Sequence, residues 1–105
     1  MPKKKRHRKS ILQKKDGTCY LCRKLHGDSD WKQTEEHHVF FGPLRKISEA
    51  EGLKVYLCHA HHRTGREAVH INHETCRIVQ RDAQAAWEKT NSRALWMSLI
   101  GRNYL

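Results

Sequence analysis

Long hydrophobic runs are missing from this sequence, since no uninterrupted apolar stretch reaches the about 18 residues that suggest a membrane-spanning helix. We therefore expect no membrane span. The N-terminus is charged and no apolar segment follows it, so we expect no secretory signal peptide either. These absences predict a protein that stays in the cytoplasm.

Hydrophobic residues are scarce overall, at 37% of the 105 residues. A chain of this length has room for one domain that buries roughly two-thirds of its unfolded surface, so its core must be modest. Three tryptophans and three tyrosines nevertheless argue against a wholly disordered chain. We expect a single small domain stabilised by a bound metal ion.

Acidic residues are absent from the first 15 residues, which contain eight lysines and arginines, whereas the rest of the chain contains 13 basic and 11 acidic residues. We predict a disordered basic arm over residues 1–15 and a near-neutral domain over residues 16–105. Such an arm suits a nucleic acid, because neutralised phosphates release condensed counterions. The predicted contacts are Lys3, Lys4, Lys5, Arg6, Arg8 and Lys9. The alternatives are a solvated tail and, for residues 2–6, a nuclear-import signal.

Three of the four cysteines lie in two half-sites with metal-ligand spacing. Cys19 and Cys22 form a CxxC pair, and Cys58 is followed three residues later by His61. This pattern favours thiolates on a metal ion in a reducing compartment over two disulfides or a redox-active CxxC pair. Cys76 is predicted to be an ordinary buried thiol, with a ligand role as the alternative.

The apolar pattern predicts two short strands before the second half-site. Val39–Phe41 is the first, and the period-two alternation over Leu53–Leu57 is the second. The other segments are predicted as a helical turn at Ser10–Lys15, a loop at Leu25–Thr34 and a connector with one helical turn at Leu44–Gly52.

The second half-site is predicted to open a helix over residues 58–66. Residues 58 and 61 share the face that meets the CxxC pair, whereas His59, His62, Arg63 and Arg66 share a face suited to a phosphate. Arg63 and Arg66 are therefore candidate nucleic-acid contacts, with an ordinary solvated face as the alternative.

A helical extension is predicted over residues 76–101, after a loop at Ala68–Thr75. One helix runs from about Cys76 to Lys89, and the other starts at Asn91 or Ser92 and ends at Gly101. The spacing of Trp87 and Trp96 favours core packing over a base-stacking surface.

Between the half-sites lies Glu35-Glu36-His37-His38-Val39. This arrangement resembles the ββα-metal core of HNH endonucleases. The resemblance rests on three motifs: the CxxC pair, the acidic residue before His-His and a strand, and the second half-site followed by His62. The match covers about residues 17–66. The whole chain is similar to small prophage-type HNH proteins, within which the RecA-dependent nucleases are a candidate group. The resemblance implies an α+β fold with a treble-clef-like ββα-metal core, followed here by the two C-terminal helices.

The same resemblance implies a role for each ligand-type side chain. His38 is the general base, and His37 and His62 hold a catalytic divalent ion. A separate structural zinc is held by Cys19, Cys22, Cys58 and His61. The chain departs from the family at two places. His61 replaces a thiolate of the commoner second CxxC. Leu53-Lys54 occupies the usual place of the asparagine that gives the HNH family its middle letter. The residue that orients His38 is therefore not evident from the sequence.

The chemistry of phosphodiester hydrolysis agrees with this division of roles. A neutral imidazole, with an ordinary pKa of about 6.5, accepts a proton from the attacking water, and a bound cation stabilises the developing negative charge. A metal-bound imidazole cannot also be the free base, so the pair separates the two tasks. For a third protein ligand, His70 is the first candidate, followed by His59 and Glu36, with water or the substrate phosphate as alternatives.

The leading hypothesis is a metal-dependent HNH endonuclease that acts on DNA in a bacterial or phage-infected cell. It needs structural Zn²⁺ and a second divalent ion such as Mg²⁺, Mn²⁺, Ni²⁺ or Zn²⁺. A recombinase filament or a phage packaging complex is a candidate partner. The alternative is a non-catalytic zinc module that binds nucleic acid or a protein.

Overall fold

A two-stranded antiparallel sheet forms the middle of this small α+β fold. The computed structural model describes residues 7–105, so the predicted contacts at Lys3, Lys4, Lys5 and Arg6 lie outside the described residues. The elements are α1 (Tyr20–His26), β1 (Thr34–His38), a 3-10 turn (Gly42–Leu44), α2 (Arg45–Glu51), β2 (Lys54–Cys58), a π-helical turn (Ala60–Thr64), α3 (His73–Trp87) and α4 (Arg93–Ile100). The predicted α+β class is confirmed, whereas the ββα-metal and treble-clef-like assignments stay predictions. Among residues 7–105, no helix is long and apolar enough to cross a membrane.

The first strand lies earlier in the chain than its apolar residues suggest. β1 contains the histidine pair, with His37 opposite Val55 and His38 opposite Lys54 in β2. The prediction of a strand over Val39–Phe41 is wrong, because the backbone N–H and C=O of Phe40 both bond to the Ser48 hydroxyl, at 3.1 and 2.7 Å. Val39 and Phe40 are apolar because they are buried in the core, at 0% and 2% exposed, whereas Phe41 is 56% exposed. The second strand agrees with its prediction within one residue.

The connector between the strands is more helical than predicted. After the 3-10 turn, α2 extends over seven residues and ends at Gly52, whose φ of 72° is in the left-handed region that favours glycine. Ser48 is fully buried within α2, and its hydroxyl anchors the helix to Phe40, two residues after the end of β1. α2 is thereby held beside His38.

The CxxC pair starts a helix, which the sequence prediction missed. The thiol of Cys19 accepts a hydrogen bond from Cys22 N at 3.4 Å, as a helix N-cap does. α1 ends at Gly27, which has a φ of 63°. The predicted loop at Leu25–Thr34 therefore begins only at Gly27 and ends before Thr34.

The described part of the N-terminal arm is attached to the domain. Arg8 N donates to Glu49 O at 3.0 Å, and Ile11 N donates to Gly52 O at 2.9 Å. The side chain of Gln13 accepts from Tyr56 N at 2.6 Å, on the edge of β2 that β1 does not cover. The prediction of disorder over residues 1–15 is therefore wrong for these residues, because the open strand edge and the C-terminus of α2 supply hydrogen-bond partners.

The predicted helical turn at Ser10–Lys15 is also absent. Its backbone N–H groups bond to a side chain instead, since the hydroxyl of Ser10 accepts from Leu12 N at 3.1 Å and Gln13 N at 3.2 Å. A serine that bonds the backbone in this way competes with helix formation.

The C-terminal helices complete the core. α3 starts at His73, three residues before its predicted start, because the side chain of Asn72 accepts from Thr75 N at 3.0 Å and caps it. α4 is capped by Ser92, one of the two predicted starts, and ends at the predicted Gly101. Trp87 and Trp96 are 1% and 0% exposed with ring centroids 5.5 Å apart, so their core role is confirmed.

We predict that Ser48→Ala destabilises the fold by about 1–3 kcal/mol, because it leaves a buried backbone N–H without its partner. Urea denaturation at matched zinc content measures the change. Ser98→Ala on the exposed side of α4 is the control and is expected to stay within about 0.5 kcal/mol of the native protein. Equal midpoints for both variants would contradict the anchoring role of Ser48.

Candidate metal centres

Three thiols and one imidazole converge between α1, the end of β2 and the π-helical turn. Nδ1 of His61 lies 3.6 Å from Cys19 Sγ, 3.3 Å from Cys22 Sγ and 3.5 Å from Cys58 Sγ. The Sγ atoms of Cys22 and Cys58 are 3.8 Å apart, much longer than the about 2.05 Å of a disulfide. All four cysteines of the chain are free. The fold thus brings the two predicted half-sites together as one Cys3His group.

The spacing of the Cys3His group fits a tetrahedral metal ion. Zinc binds thiolate sulfur at about 2.3 Å, which separates two sulfurs of a tetrahedron by about 3.8 Å. Burial, and then the hydrogen bond and charge of Cys19, raise the pKa of Cys22 to about 12. Several thiolates are therefore costly to place here without a cation to offset their charge. The group is compatible with a structural zinc, and Cys76 lies outside it.

The imidazole of the Cys3His group has a carboxylate at its outer nitrogen. Nε2 of His61 lies 3.5 Å from Glu67 Oε1, and the same oxygen lies 2.7 Å from Nε2 of His26. A carboxylate in this position orients a metal-binding histidine and fixes its tautomer. His61 is therefore oriented from both sides, with Nδ1 toward the thiols.

The π-helical turn directs the neighbouring residues His61 and His62 to different groups. Its backbone closes between Gly65 N and Ala60 O at 2.7 Å, five residues apart, so it is wider and shorter than the helix predicted over residues 58–66. Nδ1 of His62 lies 2.6 Å from Glu35 Oε1. His59 and His62 lie on one side of the turn, as predicted, because both contact the carboxylate of Glu35. Nδ1 of His59 lies 3.0 Å from Glu35 Oε2.

A second set of ligand-type side chains, the three-imidazole group, consists of His37, His62 and His70. Nε2 of His62 lies 3.1 Å from Nε2 of His70. The ring centroid of His37 lies 5.3 Å from that of His62 and 5.2 Å from that of His70. The two predicted ligands thus lie together, and the first candidate for a third ligand joins them.

Electrostatics favour neutral rings at two members of the three-imidazole group, His37 and His70. Burial, followed by the charges of His62 and His70, lowers the pKa of His37 to about 3. Burial and the charge of His62 also lower the pKa of His70. Hydrogen bonds from His62 and His59 lower the pKa of Glu35, so its carboxylate is ionised and accepts from Nδ1 of His62. When the His62 ring is neutral, its Nε2 lone pair therefore faces the other imidazoles, as a metal ligand requires.

His38 lies among carboxylates, although it is adjacent to His37. Its Nε2 lies 2.8 Å from Oε1 of Glu49 in α2. Nζ of Lys54 lies 2.6 Å from Glu49 Oε2 and 3.0 Å from Glu36 Oε1. Glu36, His38 and Glu49 are close enough to hold a metal ion, but the ammonium group of Lys54 already pairs with both carboxylates and offsets part of their charge. His38 is thus separated chemically from the three-imidazole group.

One cavity of about 190 Å³ connects these two environments. It is lined by Glu36, His37, His38, Phe41, Arg45, His62, Arg63 and His70. Of the other predicted nucleic-acid contacts, Arg66, Arg8 and Lys9 are exposed and are not part of this lining. The cavity therefore combines imidazoles that suit a cation with two guanidinium groups that suit an anion.

The sequence interpretation missed the residues that hold the histidines in place. The sequence could have indicated Glu35, since it is two residues before His37 and therefore lies on the same face of β1. Glu49 is 11 residues from His38 and Glu67 is six residues from His61, and neither spacing marks a pair. Arg45, which joins Arg63 at the cavity, likewise has no distinguishing neighbour in the sequence.

Searches against protein-family models, curated proteins and solved structures found no match to this chain.

We predict that Cys58→Ser abolishes tight binding of one zinc ion per chain, because it removes one of four converging ligands. Elemental analysis after dialysis against a weak chelator measures the zinc content. Cobalt substitution provides a second measurement, through the absorption of tetrahedral thiolate-bound Co²⁺. Cys76→Ser is the matched control and is expected to retain one ion. Zinc loss in both variants, or in neither, would contradict the assignment of the Cys3His group.

Proposed function

We propose that this protein is a metal-dependent endonuclease of the HNH type that hydrolyses phosphodiester bonds of DNA. The observation that carries the proposal is the single cavity in which the three-imidazole group, His38 and two arginines meet. A phosphodiester needs three things from such a site: a cation, a base for the attacking water, and positive charge to bind the phosphate. The lining of this cavity offers one group for each.

In this proposal, His37, His62 and His70 hold the catalytic divalent ion. When bound by these residues, such an ion would supply electrostatic stabilisation of the negative charge that develops on the phosphate and on the leaving oxygen. Three imidazoles suit Zn²⁺ or Ni²⁺ better than Mg²⁺, which prefers carboxylate and water oxygens. We therefore rank the transition metals ahead of Mg²⁺ as the active ion.

His38 accepts the proton of the attacking water. As the water oxygen bonds to phosphorus, the proton moves to the imidazole and the bond between phosphorus and the leaving oxygen breaks. Arg45 and Arg63 bind the non-bridging oxygens and keep the phosphate in the cavity. The leaving oxygen departs as an alkoxide and takes a proton from solvent, and the protonated His38 returns its own proton to solvent.

The Cys3His group has a structural task in this proposal. A zinc ion bound by Cys19, Cys22, Cys58 and His61 ties α1 to the end of β2. The residue after His61 is a ligand of the catalytic ion, so the structural zinc also fixes the position of His62. The basic arm, including the exposed Arg8 and Lys9, adds sequence-independent contacts to the DNA backbone.

We predict that His38→Ala lowers cleavage of supercoiled plasmid by about 10²- to 10⁴-fold, the usual contribution of a general base. Nicking is measured with Mg²⁺, Mn²⁺, Ni²⁺ or Zn²⁺ at matched structural zinc content. The control is His73→Ala, an exposed histidine outside the metal-type groups, which is expected to cut like the native protein. Metal-dependent nicking that survives in purified His38→Ala would overturn the base assignment. Binding of DNA without nicking by the native chain under every ion would favour the non-catalytic zinc module.

We also predict that Glu35→Gln weakens binding of the second divalent ion by about 10- to 100-fold, as loss of an outer-shell carboxylate does. Calorimetric titration of Ni²⁺ into zinc-loaded protein measures the affinity, and His62→Ala is expected to remove the binding. Glu74→Gln, an exposed charge change in α3, is the control. Unchanged Ni²⁺ affinity in both Glu35→Gln and His62→Ala would place the second ion elsewhere.

A further inference from the structure

The carboxylate of Glu49 bridges His38 and Lys54. Its Oε1 lies 2.8 Å from His38 Nε2, and its Oε2 lies 2.6 Å from Lys54 Nζ. The hydrogen bonds from Lys54 and His38 lower the pKa of Glu49 to about 2, so the carboxylate is ionised at neutral pH. An ionised carboxylate only accepts hydrogen bonds. His38 and Lys54 must therefore both donate to it, and Nδ1 of His7 lies 3.5 Å from the oxygen that Lys54 contacts.

The backbone around this bridge is held firmly. Ser48 is fully buried and anchors α2 to Phe40 through two hydrogen bonds. Lys54 is opposite His38 in the sheet and is 6% exposed, with Glu36 as its second acceptor. Glu49 thus has little freedom to leave His38, since its own helix and its ion-pair partner are both fixed.

We propose that Glu49, held by Lys54, is a positioning residue that sets the tautomer of His38, with the proton on Nε2 and the lone pair on Nδ1. This inference rests on the proposed function, in which His38 takes a proton from water. In the neutral ring, only one nitrogen has a proton, and a bond from Nε2 to a carboxylate decides which one. Glu49 and Lys54 would then orient His38, the task of the asparagine that HNH endonucleases have and this sequence lacks.

Glu49→Gln provides a sharp test, because the variant keeps the shape of the side chain. Lys54 can only donate, so it attracts the amide oxygen of the substituted side chain and turns the amide NH₂ toward His38. An NH₂ group donates, so His38 Nε2 must accept, and the proton moves to Nδ1. The lone pair then faces the amide and is no longer available to water.

The first experiment observes the tautomer directly, without any need for cleavage. Long-range ¹H–¹⁵N spectra of the full zinc-loaded chain, at a pH where His38 is neutral, show which nitrogen has the proton, and His38→Ala identifies the signals. We expect the proton on Nε2 in the native protein and in the control Glu74→Gln, and on Nδ1 in Glu49→Gln. A proton on Nδ1 in the native protein, or an unchanged tautomer in Glu49→Gln, would overturn the proposal.

The second experiment links the tautomer to the reaction. Glu49→Gln is expected to lower kcat by roughly 10²-fold, within the range that a general base contributes, with little change in KM. In the His38→Ala background, the same substitution is expected to cause no further loss, because the residue acts through His38. Equal losses in both backgrounds would overturn the positioning role. If the native chain fails to cut DNA while the tautomer shifts as expected, the proposed function fails and the Glu49–His38 assignment stands.

Discussion

The convergence of three thiols and one imidazole is the constraint on which the rest of this structure depends. With 37% hydrophobic residues, the chain has a small core, and Cys19 and Cys22 occupy part of it at α1 while Cys58 and His61 close the end of β2. Buried thiolates repel one another unless a cation offsets their charge. The same contact therefore joins two distant chain segments in a geometry that is compatible with a structural zinc. His61 of this junction is directly followed by His62 of the three-imidazole group.

The first consequence appears one residue further along the chain. The wide π-helical turn gives His61 to the thiols and His62 to the three-imidazole group, and each ring has a carboxylate at its outer nitrogen, from Glu67 and Glu35 respectively. Two ligand-type histidines that are adjacent in sequence are thus oriented independently. Neighbouring side chains of a regular α-helix already point about 100° apart. The carboxylates of Glu67 and Glu35 then orient the rings of His61 and His62.

The sequence predicted what depends on local spacing and missed what depends on distant partners. The half-sites, β2, α4 and the buried tryptophans follow from short-range periodicity, and the structure has them where expected. The first strand did not follow from its apolar residues, because the hydroxyl of Ser48 satisfies the backbone of Phe40 from eight residues away. The ordered segment around Ile11 and the bridge from His38 to Glu49 likewise depend on partners far along the chain, which no local pattern reveals.

The histidine pair shows how two identical adjacent side chains acquire different chemistry. His37 is buried among imidazoles, and desolvation and their charges lower its pKa to about 3, so it stays neutral and favours a cation over a proton. His38 instead lies 2.8 Å from the ionised carboxylate of Glu49, which accepts a hydrogen bond from its ring. The two rings therefore have different partners, which are imidazoles around His37 and a carboxylate at His38. That asymmetry comes from the partners on α2, β2 and the π-helical turn, and it is the physical basis for assigning a ligand and a base within one dipeptide.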